Sequence, residues 1–191
     1  IFRVQRYLYE KGEYDPSAEQ SFAPALVNRI DRNTSGIVLI AKHQVAAAKL
    51  SQAMQQGLIQ KQYLALLEGT LLERQGTIRA SIRRAQESII TREICPPDAP
   101  GAKEAVTHYR VIACYHLPGG FERTLVAARP ITGRTHQLRV HAAHSAGLGT
   151  PIVGDDIYGT SGERLMLHAE TIEFIHPTSG KKISLQSKAE F

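Results

Sequence analysis

Two runs rich in β-branched and aromatic residues, THYRVIACY (107–115) and FERTLVAAR (121–129), flank the turn HLPGG. Extended segments this close in sequence pair as an antiparallel hairpin, so the chain must be built around a sheet. Other runs join it. KQYLALLEG (61–69) reads as a strand, and ERQGTIRASIRRAQESIITRE (73–93) as a strand pair or exposed hairpin. AETIEFIHPTSGKKISLQ (169–186) reads as a terminal hairpin turning at Pro177 to Gly180. After Gly36, IVLIAK (37–42) is a continuous apolar run suited to a strand covered on both faces. Helical propensity is confined to two places. QVAAAKLSQAMQQ (44–56) has Val45, Leu50 and Met54 as its bulkier apolar members and Gly57 at its end. HQLRVHAAHSAG (136–147) has Thr135 as its N-cap and Gly147 as its stop. Residues 1–24 read as irregular, with KGEYDPSAEQ (11–20) a polar loop, and Pro96, Pro97, Pro100 and Gly101 mark another loop. Strands in runs with a few helices inserted describe an α+β domain, not a regular βαβ sheet. The 191 residues suit a single domain.

Several function classes fall away. No apolar run approaches the ~18 residues of a membrane span. Cys95 and Cys114 lack CxxC spacing and frame no disulfide scaffold, so a reducing cytoplasm is the expected home. GLGTPIVG misses the dinucleotide fingerprint, and neither a phosphate-binding GxxxxGK[ST] loop nor a GxSxG elbow is present. His136, His141 and His144 do not share one helical face and have no HExxH or cysteine partner, so no metal site is expected. Asp155 and Asp156 are adjacent, point apart and read as turn residues. Lys plus Arg is 23 against 18 for Asp plus Glu, a net charge of +5 that favours a phosphate-rich partner.

Three segments remain. In ALVNRIDRNTSGIVLIAK (25–42) one acid, Asp31, sits between Arg29 and Arg32, either as a turn residue or as an acid held for chemistry. Tyr63 on its strand is either amphipathic core or an aromatic face for a ligand. RPITGRTHQLRVHAAH (129–144) crowds Arg134, His136, Gln137 and Arg139 at a helix start. The helix dipole disfavours cations there, so these arginines want an anionic partner.

In this order the segments resemble a known family. NRIDRNTSG and the apolar run after it resemble the HRLDRDTSG signature of the RluA-type pseudouridine synthases. KQYLALLEG is similar to their KxYxAxxxG strand, and PITGRTHQLRVHAAH with GTPIVGDDIYG to their PxTGRTHQIRVHxxxxGxPIxGDxxYG block. KEAVTHYRVI and LMLHAETIEFIHPTSGKK fall in register, so the match runs from about residue 24 to the end. Asn28, Ile30 and Asn33 replace the family's usual His, Leu and Asp and leave the acid in place.

The resemblance implies a pseudouridine synthase fold: α+β, with a mixed, mostly antiparallel sheet, flanking helices and an active cleft across the middle. Residues 1–191 would form one catalytic domain. The family's opening strand, with its NKPxG turn, and an S4-type RNA-binding domain would precede Ile1. The implied activity is that of an isomerase converting uridine to pseudouridine in ribosomal or transfer RNA. It implies a cytoplasmic monomer with no metal and no small-molecule cofactor. In that reading Asp31, Tyr63 and Arg139 are catalytic, and Arg29, Arg134, His136, Gln137 and Leu167 bind substrate.

The chemistry fits those residue types. The N1–C1′ bond breaks, the freed base turns, and C5–C1′ forms, with no net redox change or hydrolysis. A carboxylate serves as nucleophile or as base at C2′, and an aromatic face retains the detached base. Burial raises a carboxyl pKa, so a cation must keep the acid charged. Arg139, flanked by Leu138 and Val140, has a buried stem, and the resemblance makes Asp31 its partner, within about 4 Å. Two rivals stand beside this reading. One is a non-catalytic RNA-binding module of the same fold. The other is a glycosidase-like hydrolase pairing Asp31 with Asp155 or Asp156, their carboxyl groups about 5–10 Å apart.

Overall fold

A computed structural model describes residues 1–19 and 21–191, so Gln20, the last residue of the expected polar loop, lies outside it. The first half runs α1 (Phe2–Glu10), β1 (Ala25–Leu26), β2 (Ser35–Gly36), β3 (Ile40–Ala41), α2 (Gln44–Gln55), β4 (Gln60–Glu68), β5 (Gln75–Arg79), β6 (Ser81–Arg84) and β7 (Arg92–Cys95). The second runs β8 (Val106–Leu117), β9 (Phe121–Pro130), α3 (Gln137–Ala143), β10 (Leu167–Ile175) and β11 (Lys182–Gln186).

The main sheet has the order β11-β10-β4-β9-β8-β5, every neighbour antiparallel. Strand β2 joins it beside β10 as the single parallel pairing, so the sheet is mixed and mostly antiparallel. The expected hairpins are β8–β9 and β10–β11, and the 73–93 segment divides between β5, on the sheet, and the separate hairpin β6–β7.

Register places the site. Along β4, Lys61 and Tyr63 are two residues apart and share a face. Tyr63 lies opposite Ala169 and Lys61 opposite Ile172, with an irregularity in β10 between Ala169 and Thr171. The extra residue restores parity, so Ile172 stays on the same face as Ala169. Two apolar clusters share this face. One joins Tyr63, Leu67, Val126 and Leu167 to Ala142 of α3. The other joins Ile172 and Phe174 to Ala46 and Leu50 of α2.

Three local expectations are corrected. Residues 1–24 are not all irregular, because α1 forms there with only Leu8 buried, too thin a stripe to mark the sequence. IVLIAK is not one strand. Gly36, at φ +107°, lies so close to β10 that a Cβ would stand 2.2 Å from Ala169 O. Leu39 N then donates to Asn28 Oδ1 at 2.6 Å, and β3 begins only at Ile40, paired with β1. Thr135 does not cap α3. The capping position is His136, at φ 55° with no side-chain cap, and the helix stops at Ala143, before Gly147. Helix α2 does follow the sequence: His43 Nδ1 accepts from Ala46 N at 3.2 Å and Gly57 closes it at φ +71°, though Val45 faces solvent. Among the described residues no helix is long and apolar enough to cross a membrane.

Candidate active site

Asp31 sits in a tight turn after β1, where Thr34 N donates to Asp31 O at 3.0 Å. The turn carries its half-buried carboxylate into a cavity of about 150 Å³ between the β4 face and the segment leading into α3. Tyr63 and Lys61 of β4 and Leu167 of β10 line one side, and His136 and Arg134 the other. Asp31 is the only carboxylate among the lining residues. Among the described residues no cation stands at ion-pair distance from it.

Of the expected site residues, Asp31, Tyr63, Arg29, Arg134, His136, Gln137 and Leu167 all line this cavity. They do so differently. Tyr63 is 7% exposed and belongs to the core cluster, so it is both core residue and cavity wall. Burial, and then the nearby charge of Asp31, pushes its hydroxyl pKa up to about 12. His136 has its Nδ1 2.8 Å from the Tyr158 hydroxyl. Burial lowers its pKa, with Asp31 acting in opposition, which favours the neutral ring. Its positive φ is unusual for a residue other than glycine, and such backbones concentrate at functional sites. Arg29 is exposed, while Arg134 Nε donates to Glu104 O at 2.9 Å. Gln137 is consumed by the scaffold. Its Nε2 donates to Val106 O at 2.9 Å and Thr107 Oγ1 at 3.0 Å, while its Oε1 accepts from Thr132 Oγ1 and Arg134 N.

Arg139 is the principal correction. It is buried, 3% exposed, but is not among the cavity's lining residues and does not pair with Asp31. Its Nε donates to Asp155 Oδ2 at 2.8 Å, and its Nη2 to Asp155 Oδ1 at 2.5 Å and Asp156 Oδ1 at 3.0 Å. A guanidinium buried one turn inside a helix takes the carboxylate that arrives with the right geometry. That acid comes from the GDDIYG turn, 16 residues away, because the chain folds back there. The expectation that the adjacent aspartates point apart fails at the same place, since one guanidinium holds both. The turn role survives, because Asp155 Oδ1 also accepts from Ile157 N and Tyr158 N, each at 3.0 Å. Burial alone would raise the Asp155 pKa, but the hydrogen bonds from Arg139, Tyr158 and Ile157 outweigh it and lower it. Arg139 Cζ also lies 5.3 Å from the centroid of the Tyr158 ring, and that tyrosine accepts from Arg92 N at 2.8 Å. Tyr158 thus ties α3 to β7 and to His136.

Sequence reasoning missed Asp155 and Tyr158 as the partners of Arg139, although both stood in the GDDIYG block. It also passed over two cavity residues. Thr34 is 7% exposed, and its Oγ1 is the one buried side-chain polar atom without a hydrogen-bond partner among the described residues. Lys61 is half-buried, without an ion pair among those residues, and burial lowers its pKa. No group of three metal-ligating side chains occurs among the described residues.

Comparison with known proteins assigns the chain to a family. A family model described as RNA pseudouridylate synthase matches residues 3–144. A Bacillus subtilis protein named as an uncharacterized RNA pseudouridine synthase is 41% identical over 155 residues, covering 80% of this chain and 50% of that protein. The ribosomal large subunit pseudouridine synthase C of Vibrio cholerae is 37% identical over 175 residues, covering 86% of this chain and 51% of its own. The chain thus spans about half the length of these relatives. The solved structure of human RNA pseudouridylate synthase domain containing 1 superposes with TM-score 0.73 at 31% identity, covering 86% of this chain and 69% of that one. With a sequence match over most of its length, and with that fold, the chain belongs to the RNA pseudouridylate synthase family.

Proposed function

We propose that this chain isomerises uridine to pseudouridine in RNA, with Asp31 as the acting carboxylate. One observation carries the reading. The cavity contains a single carboxylate, without an ion pair among the described residues, beside a buried aromatic ring, while the chain's other candidate acids are occupied by Arg139. The glycosidase-like alternative needs two available carboxylates about 5–10 Å apart, and Asp155 is fully buried on its arginine.

In this reading the target uridine leaves its stack and enters the cavity. Asp31 acts on the sugar or base as nucleophile, or as base at C2′, while N1–C1′ breaks. The Tyr63 ring retains the freed uracil. Once C5–C1′ has formed, its hydroxyl, protonated at physiological pH, relays the C5 proton by accepting it while giving its own to solvent, and N1 takes a proton from solvent in return. The Thr34 hydroxyl, which has no partner among the described residues, hydrogen-bonds the substrate. Arg29 and Arg134, on the rim, meet phosphate. Arg139 acts through the scaffold by holding α3 and the GDDIYG turn in place.

The substrate we propose is ribosomal RNA, as in the name of the Vibrio relative, with transfer RNA as the second candidate. We propose a monomer as the acting unit and the cytoplasm as its place, where such RNA is met. The test is incubation of the protein with ribosomal and transfer RNA from a strain lacking its gene. Cyanoethylation and mass spectrometry then locate the modified base. Pseudouridine should appear at a discrete position and be absent with Asp31→Asn. Binding without any new pseudouridine would leave only the non-catalytic module.

A further inference from the structure

Beside the active cavity lies a second and larger one, of about 420 Å³. The two share Arg29, Lys61, Pro130, Thr132 and Gly133 as lining residues, so they are continuous at one edge. The second cavity has a distinctive composition. Its floor is apolar, made by Val27, Met54 and Ile59, all members of the α2 cluster or packed against it. Arg29, Lys61 and Arg129 supply positive charge, and no carboxylate lines it. A volume in the range of ligand sites, an apolar floor and unopposed cations fit a flat aromatic group carrying a phosphate.

Lys61 stands where the two cavities meet. It projects from the same face of β4 as Tyr63, two residues before it, and none of the described residues pairs with it. A half-buried ammonium without a carboxylate is unfavourable unless an anion arrives with the ligand.

Resting on the assignment of an RNA substrate above, we propose that the second cavity seats the base of one nucleotide adjoining the target uridine, with Lys61 holding the phosphodiester between them. Val27, Met54 and Ile59 take the face of that base, and Arg129 stands at the far end, its Nη2 bonded to Gln60 Oε1 at 2.8 Å. The cavity makes the chain more sensitive to the nucleotide on one side of its target than to the one on the other side.

The experiment uses short RNA hairpins centred on the uridine found modified above. In one set a single linkage beside that uridine is a neutral methylphosphonate, and in the other a single neighbouring base is missing. In the wild-type protein the linkage on one side should weaken binding about tenfold when neutralised, as befits a lost charge-assisted bond, and the linkage on the other side distinctly less. The missing base on that same side should weaken it about fivefold, as loss of roughly 40 Å² of apolar burial does. Lys61→Met should bind the parent hairpin about tenfold less tightly and lose nothing more from the methylphosphonate. Equal losses in both proteins, or equal effects on both sides of the uridine, overturn the proposal. Lys61→Gln replaces Lys61→Met if the latter fails to melt cooperatively, and the wild-type measurements decide without any variant. Wild-type protein that forms pseudouridine yet shows no linkage dependence refutes the second cavity alone. Wild-type protein that forms no pseudouridine refutes the assignment on which it rests.

Discussion

Asp31 and Asp155 are carboxylates of one chain in opposite situations. Asp155 is fully buried and its oxygens receive two bonds from Arg139 and two from backbone N–H groups. Asp31 is half-buried, faces a cavity and has no cationic partner within ion-pair reach among the described residues. The same contrast extends to the neighbours. Gln137 makes four hydrogen bonds and His141 lies between Thr107 and Ala80. Thr34 Oγ1 has no partner and Lys61 has no counter-ion among those residues. A region whose polar atoms are satisfied internally holds the fold together. A region that leaves a hydroxyl without a partner, and an acid and an ammonium without counter-ions among the described residues, is where the proposed substrate would bind.

The contrast is broken most directly by exchanging the charge at Asp31. Asp31→Asn should reduce pseudouridine formation by about three orders of magnitude or more, with RNA affinity within a few-fold and the melting temperature unchanged. Turnover near the wild-type level would move the chemistry elsewhere.

The reverse behaviour is expected at Asp155. Asp155→Ala leaves Arg139 buried and unpaired, which should destabilise the fold by about 3–5 kcal/mol and lower the melting temperature on the order of 10 °C. The double variant Arg139→Met/Asp155→Leu should recover part of that loss. The pH dependence follows from the lowered pKa of Asp155. Its stabilising contribution is fully present above the unfolded carboxylate value of about 4 and is lost as pH falls through the lower folded value. Acid melts of Asp155→Asn should therefore lack part of the wild-type decline below about pH 4. An unchanged acid limb would show that the pair does not govern stability there.

A smaller effect is expected at Tyr63, which belongs to both regions. Tyr63→Phe keeps the ring and its packing, so stability and RNA affinity should hold while turnover slows roughly 10- to 100-fold. Because its hydroxyl titrates only near 12, activity should show no loss from this group below about pH 10. Its raised pKa also means that stability declines between the unfolded value of about 10 and the folded value.

The smallest effect sharpens the comparison at Thr34. Thr34→Val removes a hydroxyl with no partner in the free protein, so stability should be unchanged or slightly higher. KM should rise several-fold, since a net hydrogen bond to substrate contributes about 1 kcal/mol. A loss of stability with KM unchanged would place Thr34 in the scaffold.

Alternation and turn residues determined much of this protein without help from the fold. The hairpins β8–β9 and β10–β11 and helix α2 follow from short-range patterns, because each is closed by neighbours in sequence. Strand β4 was legible from its composition, although its partners β9 and β10 lie far along the chain. Asp31, Tyr63, His136 and Arg134 were legible as chemistry-bearing residues, and resemblance to a family grouped them. Which groups meet which was decided only in three dimensions. Arg139 offered no local sign of choosing Asp155 over Asp31, since either acid satisfies a buried guanidinium and only backbone placement selects between them. IVLIAK carried a strand's composition, yet Gly36 against Ala169 and the Asn28 side chain on Leu39 N bend it into separate pieces. Lys61 gained its meaning from the parity-restoring irregularity across from it in β10 and from a second cavity opened by α2 and the 129–133 segment. Pattern is set by each residue's own preference and its near neighbours, whereas partnership depends on distances that exist only after the chain has closed on itself.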